Sequence, residues 1–223
     1  MVTVGRRPSY WVRRTRRHLL LGVSSVVATI GLFFVVPGST LGRVSMATAY
    51  VGLALLAGTL FTGPFNILRR RPNPVSTDLR RDVGIWAGIL SVVHVVVGLQ
   101  VHQGGNIWKY FFFSPQPHLR DVRYDPFGLA NYTGLVATLV VLLLLGLSND
   151  ASLRRLGRYR WKTLQRLNYA VFALVVAHGA VYQVIEKRRL VFVLVFAATV
   201  AAVSLVQAAG FRRVRAHDGG VTA

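Results

Sequence analysis

Six long apolar runs, each near the length that crosses a bilayer, leave this chain few folds to adopt. They occupy residues 18–36, 44–67, 79–102, 129–148, 167–185 and 190–209. A hydrocarbon core of ~30 Å takes about 20 helical residues at ~1.5 Å each. Inside it every backbone N–H and C=O must find its partner within the segment, so such a run becomes a helix. Hydrophobic residues make up 53% of the 223, and the mean hydropathy is +0.47. The expected fold is therefore an all-α integral membrane protein, a bundle of six transmembrane helices.

The charges fall between these runs. The formal net charge is +20, which in a soluble chain would suggest nucleic acid. Here no aromatic-interleaved basic module lies outside the apolar runs, so nucleic-acid binding is set aside and the partner expected is membrane lipid. Six spans put both termini on one face with the second and fourth connections, and that face collects 20 of the 27 Lys and Arg, among them Arg6, Arg7, Arg70 and Arg71. The positive-inside rule then places both termini in the cytoplasm of a bacterial-type cell membrane. Three regions follow: a basic N-terminal segment 1–17, a transmembrane domain 18–209 and a cytoplasmic tail 210–223. The tail's 14 residues are too few to fold alone. A cleaved signal peptide is the alternative for the first run, but an apolar region of 19 residues exceeds the usual ~7 to 15.

With no cysteine, disulfides, thiolate catalysis, cysteine-ligated zinc and iron–sulfur clusters are excluded. What the spans do carry is histidine. His94 lies 13 residues beyond Arg81 in the third span, and His178 lies 12 beyond Arg166 in the fifth. Both spans run in the same direction, so the two imidazoles differ in depth by only ~1.5 Å. Two rings at one level on separate helices can grip one flat object from both faces. Small neighbours offer room: Ser91 and Gly98 share a helical face with His94, while Ala177, Gly179 and Ala180 flank His178. Tyr182, one turn beyond His178, is expected to line the same pocket.

Buried polar groups in lipid are costly and usually paired. The pair could be a helix-to-helix hydrogen bond, the two axial ligands of a haem iron, or part of a proton or metal path. The uncharged spans offer no Asp or Glu to build a relay, which favours haem b, held between spans three and five with His94 and His178 on the iron. The connection 103–127, with Trp108, Tyr110, Phe111, Phe112, Phe113, Pro115 and Pro117, is expected to lie on the membrane surface as a lid. Arg188, with Lys187 and Arg189, is placed to pair with propionates or simply to meet solvent.

Two stretches resemble a known family. LRRDVGIWAGILSVVH (79–94) is similar to the third-span pattern of the ferric-reductase-like transmembrane family, and residues 142–178 are similar to its fourth connection and fifth span. The residues that carry the likeness are Arg80, Arg81, Gly84 and His94, together with Leu156, Gly157, Trp161, Leu164, Leu167, Tyr169 and His178. Within the family the chain most resembles the bacterial haem-binding membrane subunits partnered with a periplasmic methionine sulfoxide reductase; NADPH oxidases and six-transmembrane metalloreductases are more distant. One departure stands out. The family's W-x-x-L-H-x-L-x-Y reads WKTLQRLNY here, with Gln165 where a second, inner histidine would stand. The resemblance implies one haem, at His94 and His178, with no inner one, and leaves Gln165 free to meet a neighbouring helix, a quinone or a flavin.

The function expected is that of a membrane b-type cytochrome, an electron-transfer subunit of an oxidoreductase. Single electrons would pass from a quinol or a partner donor to an acceptor on the exterior side, either an oxidoreductase subunit or a small oxidant such as ferric iron. The alternative is a membrane scaffold or assembly subunit without haem, whose histidines only hold helices together.

Overall fold

The computed structural model describes residues 10–69, 77–114 and 121–219. Arg6, Arg7, Arg70, Arg71, Pro72, Pro74, Pro115, Pro117, Arg120 and the last residues of the tail lie outside the described residues. Among the described residues seven α-helices follow one another: α1 (Tyr10–Val35), α2 (Thr40–Leu68), α3 (Thr77–Gly98), α4 (Pro126–Leu147), α5 (Asp150–Gln165), α6 (Leu167–Ile185) and α7 (Leu190–Gly219). Six stretches are long and apolar enough to cross a membrane, α5 and α6 forming one of them in direct succession. The chain is an integral membrane protein, and among the described residues there is no β-strand.

The helix ends are written locally. Pro37 and Gly38, the latter at φ 118°, separate α1 from α2, and Ser39 caps α2 by accepting the Gly42 N–H at 3.2 Å. Asp125 caps α4 in the same way, with Pro126 in the first turn where a missing N–H costs nothing. Asn149 caps α5 through the Ser152 N–H at 2.8 Å. The α5 helix occupies the stretch expected as the fourth connection. Its charged residues hide it from a hydropathy scan, and Gly157, at φ 72° and ψ 160°, kinks it where only glycine sits without strain. The helices also outrun their apolar runs: α1 starts within the segment assigned as a basic anchor and α7 continues into the tail, since arginine favours helix as well as most residues do.

Packing is centred on α2, which lies against α1, α3 and α7, while α4 packs on α6 and more lightly on α3. Pro64 inside α2 cannot pair with the Leu60 carbonyl one turn back, and Gln207 of α7 supplies the lost donor, its Nε2 reaching that oxygen at 2.8 Å. Gly210 then lets α7 close onto the Pro64 ring. The main buried cluster, Leu56, Ala87, Val141, Leu144 and Val171, forms one apolar layer midway along the bundle. A cavity opens on each side of it.

Asp82 stands just before the uncharged stretch 83–101 of the third span. In the structure it lies within α3 and is fully buried, met by Arg17 at 3.0 Å, His18 at 3.3 Å and Arg14 at 3.6 Å from α1. Next to it Arg81 donates to Asp150 at 2.5 Å. A charge at that depth persists because the surrounding cations compensate it, and the cluster ties α1, α3 and α5 together at the arginine-rich end.

Candidate functional site

The first cavity, of about 360 Å³, lies between α2, α3, α4 and α6 on the side of the apolar layer away from the arginine-rich end. His94 and His178 face each other across it, their ring centres 6.3 Å apart and their planes at 79°. The similar distances from the basic ends thus bring the two rings side by side. Each ring is braced by the helix beside its own. His94 on α3 has its Nδ1 2.9 Å from the Ser45 carbonyl of α2, with the Ser45 hydroxyl at 3.2 Å. His178 on α6 has its Nδ1 2.8 Å from the Ala130 carbonyl of α4. A carbonyl oxygen can only accept, so in both rings Nδ1 carries the proton and Nε2 keeps its lone pair.

The other expected residues are placed as follows. Ser91 lines the cavity and donates to the Ala87 carbonyl at 2.8 Å. Gly98 lines it too, but the space it leaves serves Ser45, whose hydroxyl would stand 3.3 Å from an added Cβ. Tyr182 lies against the His178 ring at 4.8 Å and donates to the Asn131 side chain at 2.8 Å. Arg188 lines the cavity and faces Glu186 at 3.8 Å, whereas Lys187 and Arg189 are not among its walls.

Several contributors escaped the sequence reading. Gly134 is the sharpest case: a Cβ there would stand 2.8 Å from His178 Nδ1 and 2.9 Å from its Cε1, so only glycine lets that ring reach α4. Asn131 is a buried amide in an apolar run. Gln183 bonds Tyr50 at 3.0 Å, and Tyr50 in turn bonds the Phe192 carbonyl at 2.9 Å. Of these, the polar side chains within apolar runs were visible signals; Gly134 looked like any other glycine.

The aromatic connection covers this end. Tyr110 is almost wholly buried, and its hydroxyl donates to the Gly98 carbonyl at 2.9 Å while accepting the His102 N–H at 2.8 Å. Burial pushes that phenol up, which keeps it a donor. Tyr132 bonds the Phe111 carbonyl, and Phe112 bridges to Val122. His102 joins Glu186 at 2.9 Å and stacks on Tyr182. Arg123 pairs with Asp125 through two bonds of 3.0 Å and lies over the Phe127 ring.

Beyond the apolar layer, at the arginine-rich end, is a second cavity of about 430 Å³. Gln165 lines it, far from His94 and His178. Among the described residues no three His, Asp or Glu side chains gather as the ligand set of a bare ion, so what the first cavity offers is a facing pair.

The site is thus a pair of cross-braced histidines over an internal cavity of a six-span bundle. By sequence comparison the chain belongs to the ferric reductase like transmembrane component family, whose sequence profile matches residues 41–176. That match begins after α1, takes in His94 and ends two residues before His178. No curated protein and no solved structure matches the chain.

Proposed function

We propose that the chain is a one-haem b-type cytochrome, with His94 and His178 as the axial ligands, and that it passes single electrons across the outer part of the membrane. The observation that carries this reading is the spacing of the two braced rings. A metal–imidazole bond of about 2 Å plus about 1.1 Å from ring nitrogen to ring centre, taken twice, comes to ~6.2 Å, close to the 6.3 Å between the ring centres. Both Nε2 lone pairs are left available by the same kind of second-shell bond that orients metal-ligating imidazoles elsewhere. Haem, when bound, supplies a one-electron ferric/ferrous couple.

The remaining residues act on that couple from outside. The Ser45 and Ala130 carbonyls fix ring orientation, and Ser91, Gly98 and Tyr182 shape the walls. The apolar layer around Leu56 and Val141 excludes water, and Arg188 at the lid end provides a cationic partner for a propionate. The donor is a membrane quinol or a partner protein, and the acceptor stands on the lid side as an oxidoreductase subunit or a small oxidant. The likeness to membrane subunits of methionine sulfoxide reductase systems favours the former.

The test is the spectrum of the purified chain and of His94→Ala and His178→Ala. Wild type should show reduced Soret and α bands with about one haem per chain, and each variant should insert normally and lose stoichiometric haem. A colourless wild type, or full retention in both variants, would establish the scaffold reading in its place.

A further inference from the structure

We propose that the second cavity is the docking site of a lipid-soluble quinol, with the Gln165 side-chain amide as the donor that holds a ring oxygen. Four observations lead there. The Gln165 Nε2 is buried and has no hydrogen-bond partner, although a stranded amide N–H is costly. Of the other polar groups inside, the Ser148 hydroxyl donates to the Leu144 carbonyl at 2.7 Å and Asn168 donates to the Gln165 carbonyl at 3.2 Å, while the Arg81 Nε is a second buried donor without a partner. The cations Arg158, Lys162 and Arg166 are exposed, Arg80 is half-buried and the buried Arg81 is paired with Asp150, so most of the positive charge stands at the mouth. The deeper walls are apolar, with Leu145 and Val171. Such a cavity suits a neutral ligand with an oxygen acceptor at one point and hydrocarbon elsewhere. A charged headgroup would find most of its partners at the rim.

Position adds a role. Leu56, Ser91 and Val141 line both cavities, so one layer of side chains separates a ligand at Gln165 from the cavity of His94 and His178. Resting on the one-haem reading above, the step is the oxidation of one quinol to one quinone. The two electrons would leave singly for the one-electron couple, the lid-side acceptor withdrawing the first before the second arrives, and the two protons would pass to water at the arginine-lined mouth. The residue that distinguishes this chain at the inner position thereby acquires a use: an amide in place of an imidazole makes a ligand site where iron would otherwise be held.

The experiment uses the purified full-length chain and 2,3-dimethyl-1,4-naphthoquinone, followed by quenching of tryptophan fluorescence, since Trp161 lines this cavity. Wild type should bind saturably. Gln165→Leu should weaken binding at least tenfold with haem content unchanged, and Gln165→Glu, of the same shape but unable to donate when ionised, should weaken it likewise. His94→Ala should bind as wild type does. Reduction of the haem by the corresponding naphthoquinol should slow in parallel in both Gln165 variants, while dithionite reduces them fully. Equal binding by wild type and both Gln165 variants would overturn the proposal, as would binding lost in His94→Ala but kept in Gln165→Leu, or saturation by flavin mononucleotide with none by the quinone. A colourless wild type that still binds quinone through Gln165 would remove the haem reading and leave the site standing. A coloured wild type that binds none would remove the site alone.

Discussion

The two imidazoles differ from an ordinary buried pair in what they do with their protons. Each gives its Nδ1–H to a main-chain oxygen of a neighbouring helix, so neither bonds the other. That arrangement depends on Gly134, where any side chain would meet the His178 ring. Gly134→Val is therefore expected to push His178 off the Ala130 carbonyl and to lower haem content several-fold, with Gly134→Ala intermediate; haem per chain measured as the pyridine adduct checks it, and a fully loaded valine variant would refute the role. The histidines were legible because an imidazole in an apolar run is conspicuous. Their acceptors were not, because a backbone carbonyl has no letter of its own, and Gly134 differs from the chain's other glycines only through a ring arriving from 44 positions away.

At the scale of elements, spans were legible and their joints less so. Hydropathy marks α1, α2, α3, α4, α6 and α7, whereas the charged α5 repeats too few apolar residues to register. The lid was foreseen as an aromatic surface segment, but its pins were not: Tyr110 is buried, and the Arg123–Asp125 pair holds the entrance to α4. The Arg123 guanidinium beside Asp125 holds its carboxyl below the usual carboxylate range. A carboxyl depressed in the folded state contributes stability above its unfolded pKa and loses that contribution as pH falls through its folded value. Acidification from neutral should thus leave the lid unchanged until below the ordinary carboxylate range, then loosen it. Hydrogen exchange at the Gly128 amide, read against pH, checks this, and Asp125→Asn should keep the cap while removing most of the pH dependence. An amide that opens equally at neutral and acid pH would contradict it.

For the whole molecule, the charge pattern makes a statement about orientation. With 20 of the 27 Lys and Arg assigned to the face of the termini, both ends are expected in the cytoplasm. A reporter fused after Ala223 should behave as cytoplasmic, and an exterior signal would mean an odd number of spans. The sequence also marked Gln165 as a departure from its family, but not that its amide would be left without a partner on the wall of a second cavity; that follows from how α3, α4, α5 and α6 meet, which no local pattern encodes. The cross-bracing of the histidines has one more consequence, for assembly. Spans two and three form a hairpin, as do the spans α4 and α6, and each hairpin carries one proposed ligand already oriented by its own partner strand of helix. Each half can thus be completed in the bilayer by itself, and the proposed haem, entering between them, would act as the bolt that joins two finished plates, loading after insertion without refolding either one.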